Sequence, residues 1–68
     1  MNNNYKGYAY KGPVMSYGKL LMNNYVAETM APTPGKAKSN IIYNYKIGHN
    51  MLPGAKIELP GKIVEISI

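Results

Sequence analysis

The stretch "TPGKAKSNIIYNYKIGHN", residues 33–50, constrains the fold more than any other part of the chain. Thr33 is a good N-cap, and Pro34 suits the first helical position, where a missing N–H costs nothing. Gly48 supplies a stop, with Lys46 in the last turn where the helix dipole favours a cation. A helix is therefore expected from about 34 to 47. At 100° per residue, Ala37, Ile41 and Tyr45 share one face, flanked by Ile42, while Lys36, Ser39, Tyr43 and Lys46 share the other. The first group should pack and the second should meet water.

One short helix leaves the remaining segments to form strands around it. Residues 1–4 read as a frayed polar lead-in. Tyr5 to Tyr10 is rich in β-prone tyrosine, and Lys11-Gly12-Pro13 has turn chemistry. Val14 to Met22 reads as a second strand with a bulge at Gly18. Asn23-Asn24 then suits a hairpin turn, and Tyr25 to Met30 forms a third strand. After the helix, "KIELPGKIVEISI" alternates apolar residues on both sides of Pro60-Gly61, the central pair of a type II turn. Ile57 and Leu59 would then face one apolar layer with Ile66 and Ile68, or with Val64 and Ile66. The expected fold is α+β: a small antiparallel three-stranded sheet, a helix packed on one face, and a C-terminal β-hairpin or strand. No linker or repeat divides it, so residues 1–68 are read as a single domain.

Size limits what can hold such a fold together. A chain of 68 residues buries only about 60% of its unfolded surface. With no cysteine, disulfides and thiolate metal sites are excluded. Self-association through the C-terminal strand remains as a staple. The absence of cysteine suits a reducing cytoplasm. "MNNNYKGYAY" has no apolar core of a signal peptide, and no run approaches the ~20 apolar residues of a membrane span. The expectation is a cytoplasmic protein with no membrane contact.

The residue inventory argues against catalysis. His49 is the one histidine and falls in a "GHN" turn. Glu28, Glu58 and Glu65 are dispersed, and the serines have no base nearby. No phosphate or dinucleotide loop is present. The expectation is no enzyme activity, no cofactor and no metal.

Charge points to binding instead. Eight lysines stand against three glutamates, giving +5 without a single arginine. That balance favours an anionic partner, DNA or RNA, or an acidic protein; biased codon usage would write the same alphabet. Two candidate surfaces follow. The first turn of the helix holds Lys36 and Lys38 and no acid, against the dipole, which makes it a candidate phosphate site. In "YKGYAYKGP", Lys6, Tyr8 and Tyr10 share one strand face, while Gly7 and Ala9 leave the other free for close approach of a helix. The first face is read as open, either to stack on bases or as half-polar cover of a one-layer sheet.

The helix start, with Lys36 and Ala37-Lys38, resembles that of double-stranded RNA-binding domains, which implies contact with phosphates. "YKGYAYKGP" resembles the first strand of integrase arm-binding domains, which implies a sheet face set into a DNA groove. Across most of the chain, "YKGP", "NN" and "KAKSN" resemble small uncharacterised proteins of phages and mobile elements in Gram-positive bacteria. Two functions are therefore carried forward. One is a weakly selective nucleic-acid-binding module using Lys6, Tyr8, Tyr10, Lys36 and Lys38. The other is an interaction or inhibitor module for a protein partner.

Overall fold

The computed structural model describes residues 5–52 and 54–66, so the expected fraying of 1–4 and the role of Ile68 lie outside the described residues. Strand β1 (Lys6–Ser16) and strand β2 (Lys19–Ala31) form a long antiparallel hairpin; helix α1 (Pro34–Gly48) and strand β3 (Ile63–Ile66) follow. The sheet has three antiparallel strands in the order β2-β1-β3, and α1 covers one face. The α+β class and the packed helix are as the sequence implied. The allotment of strands is not, because two strands precede the helix and the C-terminal strand supplies the third.

The helix follows its local signals closely. The Thr33 hydroxyl accepts from the Lys36 amide at 3.2 Å, and the Thr33 carbonyl accepts from Ala37 N–H at 3.0 Å. Ala37, Ile41 and Tyr45 are buried, as their shared face requires. The stop is shifted, since Gly48 is still helical and His49 is the C-cap. Asn50 takes the left-handed position at φ 55°. Asn50 N–H then reaches Ile47 O at 3.2 Å and Met51 N–H reaches Lys46 O at 2.9 Å, the paired bonds of a Schellman ending.

Both turns expected in the first half are absent, and the hairpin turns at Tyr17-Gly18 instead. Their φ values of 52° and 77° fit a type I′ turn, whose twist matches that of the flanking strands. Gly18 is thus a turn residue and not a bulge. Asn23-Asn24 lies in a stretch where five steps along β2, Leu20 to Tyr25, span three along β1, Gly12 to Met15. The excess residues bulge β2 while β1 stays regular.

Lys11-Gly12-Pro13 stays within β1 because of what lies opposite. The β1–β3 ladder runs from Gly7↔Ile66 to Tyr10↔Ile63, and the isolated bridge Met15↔Glu58 keeps the same register. Residues 58–66 thus form one interrupted strand beside β1, not two arms of a hairpin. Continuing the register sets Pro13 against Pro60 and Gly12 against Gly61. Neither proline has an N–H, so that rung cannot form. The Tyr10 side chain replaces it: its hydroxyl donates to Pro13 O at 2.6 Å and accepts from Gly61 N–H at 3.0 Å. A Cβ on Gly12 would lie 3.1 Å from the Tyr10 hydroxyl, and one on Gly61 would lie 3.0 Å from it. Glycine at both positions lets the phenol sit there without having to shift.

The core gathers around this ring. Tyr10, Val14, Ile41, Tyr45, Ile57 and Leu59 form one cluster, and Tyr8, Ala31 and Ala37 a second at the start of the helix. Ile57 and Leu59 share an apolar layer as expected, but Val64 and Ile66 both point to the opposite, uncovered face.

Tyr10→Phe keeps the ring and strands one carbonyl and one N–H in a largely dry site. We expect a loss of about 1–3 kcal/mol, read as a lower midpoint in urea with an unchanged slope. A variant as stable as the parent would show that the hydroxyl does not hold the interrupted strand.

Candidate binding surfaces of the sheet

Side chains alternate along β1, and the face holding Tyr8 and Tyr10 turns inward. Their rings are 3% and 1% exposed, so neither is available to stack on a base. This reverses the expectation that Gly7 and Ala9 face the helix and the tyrosines face solvent. The physical reason is area: two tyrosines and Val14 bury far more apolar surface than a glycine and an alanine. Tyrosine can also be dry at Tyr10 because its hydroxyl is satisfied by backbone.

The lysines of the expected site remain exposed. Lys6 keeps the inward parity but lies beyond the packed region, with its ammonium 3.9 Å from a Glu65 carboxylate oxygen. Lys36 and Lys38 are exposed at the start of α1. Lys6 pairs with Ala31 in the ladder, so it sits at the end of the sheet from which the chain enters the helix. Lys6, Lys36 and Lys38 therefore share one end of the molecule, without the tyrosines.

The uncovered face is a different surface. Gly7, Ala9 and Lys11 run down its centre, with Val26, Glu28 and Met30 on β2 and Val64 and Ile66 on β3. Val26, Val64 and Met30 are 60%, 56% and 46% exposed. The register sets Lys62 beside Lys11, which makes a cationic centre among aliphatic side chains. At the hairpin tip Tyr17 is 76% exposed, close in sequence to Lys19, Leu20 and Leu21. This tip is not among the turns expected from the sequence, although "YG" between two extended runs signals it.

Two further features complete the surface. An open groove of about 340 Å³ lies along α1, lined by Ser39, Ile42, Tyr43, Lys46, Ile47 and Met51. At the helix end, His49 stacks on Tyr45 at 4.1 Å, and its Nδ1 lies 3.0 Å from Tyr45 O. Tyr45 in turn meets Tyr25 edge-on at 5.1 Å. Burial, and secondarily the neighbouring Tyr45, raises the Tyr25 phenol above its ordinary pKa. Among the described residues no three His, Cys, Asp or Glu side chains gather as metal ligands, and no helix is long and apolar enough to cross a membrane.

Comparison with protein-family models, with curated proteins and with solved structures finds no match.

The lysines at the helix start oppose the helix dipole, so replacing them separates folding from binding. Lys36→Glu also completes a capping box with Thr33. We expect Lys36→Glu with Lys38→Glu to raise the thermal midpoint while weakening retention on heparin. A lowered midpoint would mean that these lysines serve the fold.

Proposed function

We propose that this chain is a small non-enzymatic binding module of the cytoplasm that acts by docking on a protein partner through the uncovered side of its sheet. The observation that carries this reading is the inversion of β1: the tyrosines fill the core, while Val26, Met30 and Val64 stay open around Lys11. Aliphatic side chains on a flat face, with a cation at the centre, suit a protein surface better than a phosphate backbone. The charge of +5 favours an acidic partner and faster encounter.

Nucleic-acid binding remains as a second reading, supported by the hairpin tip. Tyr17 occupies a left-handed position where asparagine or glycine suits the turn better, and its ring is exposed two residues from Lys19. A residue kept there against local preference is a mark of function. In that reading the tip and the lysines at Lys6, Lys36 and Lys38 hold phosphates, as the resemblance to arm-binding and RNA-binding domains implies.

Two measurements separate the readings. A photoreactive side chain at Val64 is expected to give a discrete protein adduct in the native cells, while one at Tyr43 on the exposed helix face gives none. Titration of labelled duplex DNA and of single-stranded RNA at physiological salt should show only the non-specific range of about 10⁻⁴–10⁻⁶ M. Tighter binding that Tyr17→Ala abolishes, with no adduct at Val64, would overturn the protein reading in favour of the second.

A further inference from the structure

The outer edge of β2 is unlike other edges in this fold. With the order β2-β1-β3, β2 has a neighbour on one side only. Its distal half is blunted by Lys19 and by the bulges around Leu21 and Asn23-Asn24. The half from Tyr25 to Ala31 pairs with β1 in unbroken register and contains neither lysine nor proline. Edge strands normally carry such protection, because their free backbone groups pair with any strand that meets them. The opposite edge belongs to β3, which among the described residues spans Ile63–Ile66 and is preceded by Lys62 and by the interruption at Pro60.

The direction of the free groups follows from β1. Met15 exchanges both backbone bonds with Glu58, at 2.9 and 2.7 Å, so Met15 faces the β3 side. Because β1 is regular, its odd residues face that side and its even residues face β2. Tyr8, Tyr10 and Gly12 therefore bond to Thr29, Ala27 and Tyr25, and the backbone groups of Val26, Glu28 and Met30 point away from the sheet. The Met30 carbonyl confirms this direction, since it accepts from the Asn40 side chain of α1 at 3.4 Å. No other side chain or backbone group among the described residues bonds to these three residues from the open side.

Charge then selects the occupant. Asn40 reaches over the edge from α1, and Lys36 lies one turn earlier on the same helix face. On the uncovered face, Lys11 pairs with Val26. A strand added beside β2 would have Lys36 on its helix side, while Lys11 sits one strand further in on β1; Glu28 is the one acid along its path. A second copy of the chain would bring another +5 and no acidic stretch.

We propose that the Tyr25–Ala31 edge of β2 accepts an extended acidic segment of the partner protein as a fourth strand. This inference deepens the protein-docking reading and rests on it. Main-chain bonds to Val26, Glu28 and Met30 would supply affinity, and Lys36 together with the net charge of +5 would select acidic side chains.

The probe is a capped seven-residue peptide alternating glutamate with valine, titrated into the full chain and followed by amide hydrogen exchange. The Val26 and Glu28 amides should slow at least tenfold. The glutamate peptide should bind about tenfold more tightly than its lysine counterpart, since Lys36 and the net charge of +5 attract the one and repel the other. Glu28→Pro removes an outward N–H without touching the β1 ladder, and it should abolish the protection. A peptide N-methylated at alternate residues tests the same bonds with the protein unaltered, and it should not bind. Equal binding of the N-methylated peptide, or no protection at Val26 and Glu28, would overturn the edge proposal. The protein-docking reading would survive that result if the Val64 adduct still forms in Glu28→Pro. Protection that grows with protein concentration alone would assign the edge to a second copy, and it would overturn the acidic-segment proposal.

Discussion

The fold depends on one phenol placed where two prolines interrupt the pairing of β1 with the C-terminal strand. Pro13 and Pro60 face each other across β1 and the C-terminal strand, where neither can donate a ladder bond. The Tyr10 hydroxyl bonds to Pro13 O and Gly61 N–H at that gap, so the two segments stay joined through a side chain. Below the ring, Val14, Ile41, Tyr45 and Leu59 close the core. The glycines at 12 and 61 then ease the packing, since a Cβ at either position would press on the buried Tyr10 side chain.

That placement decides which side of the sheet can bind anything. With Tyr8, Tyr10 and Val14 inward, alternation sends Gly7, Ala9 and Lys11 outward. The single helix covers only one face, so the other keeps its aliphatic side chains in water. The hairpin leaves a second consequence, because β2 becomes an edge along its whole length. Core, open face and open edge are therefore one arrangement, set by the parity of β1 and by the lack of a fourth strand.

Much of this was legible in the sequence where signals are local. Thr33, Pro34 and the 3.6-residue spacing of Ala37, Ile41 and Tyr45 specify the helix without help from the rest of the chain. The hairpin was misread because Lys11-Gly12-Pro13 and Asn23-Asn24 look like turns, and local chemistry cannot reveal a partner 50 residues away. Read in opposite directions, "KGP" at 11–13 matches "PGK" at 60–62, and that pairing was the missed signal. The lysines at 6, 36 and 38 were correctly read as exposed. Tyr8 and Tyr10 were placed on the wrong side because residue type alone does not set which face a one-layer sheet buries. Comparing the apolar area of the two faces would have done so.

The most direct test of this account is native-state hydrogen exchange at the Gly61 amide. Gly61 lies outside the regular ladder, in a segment that reads as a loop from its sequence. If the Tyr10 hydroxyl holds it, this amide should exchange through global unfolding, as slowly as the amides of Ala9 and Ile41. Exchange at the rate of an open loop, with Ala9 and Ile41 still protected, would contradict the central role given to Tyr10.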